Sequence, residues 1–288
     1  MWPEVVYGRG VKVYDVEKTV EEAVQTFYLD RKGRPELFPL GFPTLDNELG
    51  GLGPRSCGIM AAATGVGKSS AMLSGMIGSP IKVGCVSVED GPDVVGTRLL
   101  SALTGIDSLR IRRKQLSEQE LSSLRKAAAD QRLDNLFFSY PTAGTIDDIE
   151  EAVEALTAQG CKMVWLDYLQ KVRGHRDDRR HEVAETFTRF QRAVAKGGAA
   201  GMAISQFRRF GAEERVPQIY HLKESGDLEN EARVILLGHR YTDANQVSRV
   251  QWRLAKSTYG GEWLRWEMVR DAGGTLREVP LYDPGEGF

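Results

Sequence analysis

A chain of 288 residues with 41% hydrophobic and 27% charged side chains has the make-up of one large α/β domain or two small ones. Its net charge of −2 excludes a global basic field, so any nucleic-acid surface must be a local patch. Three dispersed cysteines and the lack of any run near ~20 apolar residues exclude a disulfide scaffold and a membrane span, and a reducing cytoplasm is the expected compartment.

Residues 1 to 14 read as irregular chain or one edge strand. Residues 15 to 30, DVEKTVEEAVQTFYLD, predict a helix: Val16, Val20, Ala23, Val24, Phe27 and Tyr28 fall on one stripe opposite acidic residues. RKGRPELFPLGFP then breaks the pattern as a linker would. The expected division is an arm with a docking helix over 1–36 and one domain over 37–288.

From about residue 41, apolar strands alternate with helical segments. SCGIMAAA, IKVGCVSVED, CKMVWLDYL, GAAGMAISQ and ARVILLGHR are near-continuous apolar runs, as parallel strands covered on both faces require. Cys57, Cys85 and Cys161 lie in or beside these runs and read as small hydrophobes. Helical patterns fill the intervals, which predicts a mostly parallel α/β sheet with crossovers. VSRVQWRLAKS and EWLRWEMVR alternate polar and apolar residues around YGGE and predict an antiparallel C-terminal hairpin.

Residues 61 to 70, AAATGVGKSS, follow a strand and open a helix. Ala62-x-x-x-x-Gly67-Lys68-Ser69 is the spacing of a phosphate-binding loop with alanine leading. Ala62, Thr64, Gly65, Val66, Gly67, Lys68, Ser69 and Ser70 are the candidate cradle. Gly65 and Gly67 let backbone amides converge on a phosphate, Lys68 brings a point charge, and the Ser69 hydroxyl can hold Mg²⁺. CKMVWLDYL ends in Asp167, a carboxylate suited to the Mg²⁺ shell. KVGCVSVED ends in Glu89 and Asp90. By alternation Glu89 shares a face with Cys85 and Ser87 while Asp90 points away, which makes Glu89 the candidate base for an attacking water. Gln206 ends a third strand and is a candidate γ-phosphate reporter. All these features fall at one edge of the sheet, where α/β folds bind ligands.

The segments GFPTLDNELGGL, ATGVGKSS, VSVED, VWLDYLQ, AISQFRR, LKESGDLENEARVILLGHR and AKSTYGG, in this order over about residues 37 to 270, resemble the RecA-like ATPase domain of DnaB-type replicative helicases. The resemblance implies a RecA-like P-loop NTPase in a ring, usually a hexamer, with ATP and Mg²⁺ between neighbours and single-stranded DNA through the centre. It implies Lys68 and Ser69 as the phosphate-loop pair, Glu89 as catalytic glutamate, Asp167 as the metal-site carboxylate, and Gln206 as sensor. It places the 15–30 helix where the family docks on a neighbour. A primase or helicase loader is the partner it suggests, although the family's primase-contacting N-terminal domain has no room in the first ~40 residues. A phage or plasmid origin would suit that.

The family strand that reaches a neighbour's site ends in a Lys-x-Arg pair. Here it reads Lys256-Ser257-Thr258, so Lys256 matches and Thr258 stands where the arginine belongs. Such an arginine is worth roughly 10³–10⁵ in rate. Either Lys256 acts alone, a nearby residue such as Arg253 or Arg240 substitutes, or hydrolysis is slow; Arg253 is expected to face opposite to Lys256 by alternation. Two loops carry the candidate DNA contacts: Arg173, Arg176, Arg179 and Arg180 after the Asp167 strand, and Arg208, Arg209 and Arg215 after Gln206. Two alternatives stay open: a RecA-, RadA- or KaiC-like ATPase on the same core, and a nucleotide-gated ring that binds DNA or protein without autonomous unwinding.

Overall fold

The computed structural model describes residues 5–7, 11–13, 16, 37–173, 179–207, 216–222, 225–261, 264–271 and 274–279. The chain falls into two units, Met1–Leu37 and Phe38–Phe288. In the first, β1 (Val5–Tyr7) and β2 (Val11–Val13) form an antiparallel hairpin, Val5 opposite Val13, where the sequence suggested at most one strand. The helix expected over 15 to 30 lies outside the described residues except at Val16.

One mixed sheet organises the second unit. Its strands are β3 (Cys57–Ala62), β4 (Val83–Ser87), β5 (Leu136–Ser139), β6 (Met163–Asp167), β7 (Ala200–Gln206), β8 (Val234–Thr242), β9 (Ser248–Ser257), β10 (Arg265–Arg270) and β11 (Leu276–Val279). The order is β11-β10-β9-β8-β3-β7-β6-β4-β5. From β8 to β5 all neighbours are parallel, and β9 to β11 continue antiparallel. Every residue of β3, β4 and β6 is buried, which explains why these segments read as unbroken apolar runs. Helices such as Lys68–Gly78, Ile146–Ala158 and Arg179–Lys196 supply the crossovers that parallel pairing demands. Cys57, Cys85 and Cys161 are free and buried, and burial pushes the Cys57 thiol up to about 12. No described helix is long and apolar enough to cross a membrane.

Two strands escaped the sequence reading: β5, at one edge, and β11, at the other. In β9 a register shift pairs Ile235 with Lys256 but Leu236 with Leu254, leaving Ala255 bulged. Arg253 pairs with Leu237, and Leu237 and Ile235 are two residues apart on one strand. Arg253 and Lys256 therefore share a face, contrary to simple alternation, because the bulge resets the parity.

The GFPTLD segment packs against the far half of the helix that follows the phosphate loop. The Asp46 carboxylate, on the helix Pro43–Leu49, accepts from the Leu40 amide at 2.8 Å and the Gly41 amide at 2.7 Å. That turn holds Gly41 at φ 82, where a Cβ would stand 1.8 Å from the Gly75 carbonyl oxygen in the helix Lys68–Gly78. Gly41→Ala combines a left-handed backbone with a backbone clash. It is expected to cost about 3 kcal/mol or more in urea unfolding, and a smaller loss would show that the helix can shift away.

Candidate active site

The loop between β3 and the helix Lys68–Gly78 is shaped by two left-handed glycines, Gly65 at φ 80 and Gly67 at φ 118. Gly67 is the residue before the helix, and a Cβ there would stand 2.8 Å from Leu276 Cδ1 and 3.0 Å from Arg270 Nη2, so only glycine fits where the first helical amides begin. A cavity of about 370 Å³ opens there, and Lys68, Ser69, Glu89, Asp167 and Gln206 all line it. The five candidates drawn from four segments of sequence meet at the C-terminal edge of the parallel strands. Thr64, Gly65, Gly67 and Ser70 line the same cavity. Ala62 and Val66 do not; both are buried.

Lys68 is buried, and its Nζ donates to the carbonyl oxygens of Ala62 at 3.1 Å and Ala63 at 3.2 Å. Burial lowers the pKa of its ammonium, with Asp167 and Glu89 pulling the other way. Asp167 is 3% exposed, and its Oδ1 has no hydrogen-bond partner among the described residues. Burial raises its carboxyl to about 6; a hydrogen bond with Ser69 opposes this, while the charges of Glu89 and Asp90 reinforce it.

Glu89 reaches the cavity by a route different from the expected one. β4 ends at Ser87, two residues short, so strand alternation does not orient it. The Ser87 hydroxyl instead donates to the Asp90 carbonyl at 2.8 Å, turning the chain. Asp90 pairs with Arg98 at 2.5 Å, on the helix Pro92–Thr104, and it is Glu89, not Asp90, that lines the cavity with Asp167. Gln206 is fixed through its backbone: its amide donates to Gln170 Oε1 at 3.2 Å, and Gln170 Nε2 donates to Ser205 Oγ at 2.9 Å. Gln170 thus ties the segment after Asp167 to the end of β7.

Two arginines from the antiparallel strands reach this region: Arg270, which sequence reasoning missed, and Arg240, which it named only as a substitute for the missing arginine. Arg270, from β10, lines the cavity, its guanidinium donating to Gly274 O; partial burial and the nearby Arg240 lower its pKa. Arg240, from β8, donates to the carbonyls of Gly65 and Val66 and so braces its own phosphate loop. Arg270 had no local signal, because only the antiparallel extension of the sheet brings β10 there, and Arg240 serves its own loop rather than a neighbour's.

The remaining candidates lie elsewhere. Lys256 Nζ donates to the Glu229 and Asn230 carbonyls at the end of the helix Ser225–Glu231. Arg253 donates to the Pro217 carbonyl at 2.5 Å and Gln218 Oε1 at 2.9 Å. Arg173 is exposed, and Arg179 and Arg180 open the helix Arg179–Lys196. Arg176, Arg208, Arg209 and Arg215 lie outside the described residues.

The Asp167 carboxyl gives the protein a pH signature. Its folded value of about 6 exceeds the ordinary 3.8, so between these values the folded state holds a proton that the unfolded chain releases. Its contribution is most favourable below pH 4 and is lost as pH rises through 6, a change of up to about 3 kcal/mol. Asp167→Asn is expected to flatten the thermal-melting midpoint across that window; an unaltered pH profile would place the proton elsewhere.

Comparison with known proteins bears on the same elements. Residues 38–262 match the family model of the DnaB-like helicase C terminal domain. A probable plasmid replicative DNA helicase of Chlamydia trachomatis is 24% identical over 250 residues, 81% of this chain and 55% of that protein. The replicative DNA helicase DnaB of Leifsonia xyli subsp. xyli is 31% identical over 214 residues, 70% of this chain and 46% of that protein. The chain thus spans about half the length of the curated relatives it matches. Among solved structures, an isolated ATPase domain superposes with a TM-score of 0.77 at 20% identity, over 91% of this chain and 96% of that one. A structure of a DnaB-like replicative helicase and its interactions with primase gives 0.77 at 19%, over 95% and 69%. The fold is that of the RecA-like P-loop ATPase domains.

Proposed function

Because the chain belongs to the DnaB-like helicase C terminal domain family, we propose that it is the ATPase motor of a ring-forming helicase that moves along single-stranded DNA in replication. The observation that carries this reading is the convergence of Lys68, Ser69, Glu89, Asp167 and Gln206 on one cavity. ATP is the substrate. The loop amides and Lys68 bind its phosphates, with Lys68 trading its bonds to Ala62 and Ala63 for phosphate oxygens.

The donor set fits Mg²⁺: Asp167 offers a buried oxygen without a partner, beside the Ser69 hydroxyl. Bound there, the ion would offset phosphate charge. Glu89 accepts the proton of the attacking water, and Gln206 contacts the γ-phosphate or that water. When the γ-phosphate leaves, Gln206 passes the change to the loop that follows β7, and its arginines, with those after β6, carry the DNA backbone. A hexamer with DNA in its centre, and a primase or loader as partner, extend the proposal.

A second reading, a nucleotide-gated ring without autonomous unwinding, draws on Thr258 and on the engagement of Lys256 by Glu229 and Asn230. Steady-state ATP hydrolysis by the purified chain, with and without single-stranded DNA, separates the two. DNA-stimulated turnover is expected; tight ATP binding with no turnover would overturn the motor in favour of the gate.

A further inference from the structure

Thr258 stands at the edge of the sheet opposite the phosphate loop. Its amide donates to the Arg233 carbonyl at 3.0 Å, and the Arg233 amide donates to the Cys57 carbonyl at 2.8 Å. Cys57 begins β3 and Ala62 ends it, so this edge lies one strand length, roughly 17 Å at ~3.3 Å per residue, from the phosphate loop of the same chain. No side chain there reaches its own nucleotide.

The edge is nonetheless built for an anion. A cavity of about 480 Å³ is lined by Arg55, Arg192 and Arg233 around Thr258. All three arginines are exposed, and among the described residues none of their guanidiniums has a hydrogen-bond or ion-pair partner. Their backbones are fixed. Arg233 is pinned at both its amide and its carbonyl, and Arg55 is held at φ 65 by donating its amide to the Ala199 carbonyl at 2.7 Å. The one acid in the cavity wall, Glu231, accepts from Thr188 Oγ1 at 2.8 Å. Three rigidly based, unpaired guanidiniums against one engaged carboxylate favour phosphate oxygens.

We infer that Arg233, with Arg55 and Arg192, forms a phosphate-binding site that takes the terminal phosphate of ATP held by a second copy of the chain. The inference rests on the ring reading above. It assigns to Arg233, one strand across from Thr258, the cation that Thr258 does not carry. The chemistry is unchanged: water attacks the γ-phosphorus, the bond to the bridging oxygen breaks, and ADP and inorganic phosphate leave. The guanidinium offsets charge on the transferring group and exchanges no proton.

Mixing separates action within a chain from action between chains. Arg233→Ala is expected to lower kcat about 10³-fold while fluorescent ATP binds as to wild type, with exposed Arg125→Ala as a charge control that keeps full activity. Lys68→Ala chains cannot hydrolyse but keep the arginine edge, and Arg233→Ala chains keep the phosphate loop. Their mixture is expected to regain turnover. Full activity in Arg233→Ala and in the triple Arg55, Arg192 and Arg233 to alanine variant would overturn the inference. So would a correctly folded pair whose mixture stays inactive. If the variants instead lose affinity for labelled single-stranded DNA in the absence of ATP, and mixing restores nothing, the phosphate is that of DNA and the inference fails. A wild-type chain that stays monomeric with ATP in sedimentation would sink the ring reading first, and the inference with it.

Discussion

Lys68→Ala is expected to cut ATP turnover by about 10²- to 10³-fold and to weaken nucleotide binding with it, while the folded chain survives. The survival follows from the environment of the amine. Lys68 is buried, and burial alone disfavours its charge; only two loop carbonyls, with the charges of Asp167 and Glu89, hold it there. Removing it therefore removes a desolvated charge as well as two hydrogen bonds, and the two effects oppose each other. Circular dichroism should show an intact fold, and fluorescent-ATP titration a raised Kd. Unchanged turnover would remove Lys68 from the chemistry.

Glu89→Gln is expected to separate what Lys68→Ala combines. The amide keeps the shape of the side chain but cannot accept a proton, so turnover should fall by about 10²- to 10⁴-fold with ATP binding preserved. The same change has an electrostatic signature. Glu89 helps raise the Asp167 carboxyl and opposes the lowering of the Lys68 pKa. Glu89→Gln should therefore shift the pH dependence of thermal melting between pH 4 and 6 downward, toward the ordinary carboxylate range. Turnover within the normal range in this variant would mean that another group takes the proton.

The parallel half of the sheet was legible in the sequence because strands buried on both faces leave nothing but apolar residues to read: β3, β4, β6, β7 and most of β8 announce themselves. β5 is half-buried and four residues long at an edge, and β11, LREV, is four residues of which two are charged, so neither gives a periodic signal. Within the site, the loop residues, Asp167 and Gln206 were legible because each ends a recognisable strand. Glu89 was found by a step that the structure does not support, since β4 stops before it and a turn aims it. Arg270 and Arg240 depend on pairing across β8, β9 and β10, which no local window contains. The shared face of Arg253 and Lys256 was hidden for a related reason: one bulged residue inverts everything read by counting in twos.

β3 is hydrogen-bonded along both sides, to β7 and β8, and runs unbroken from the arginine edge to the phosphate loop. Such a strand is a strut: it transmits push and pull but has no slack in which to store them. A displacement at one end must then appear at the other as tilt of the whole sheet. Mechanically, the domain is a stiff lever with the phosphate loop at one tip and a cluster of cations at the other. Its amides at Ile59, Met60 and Ala61 should accordingly be among the slowest to exchange with solvent, opening only when the domain unfolds as a unit.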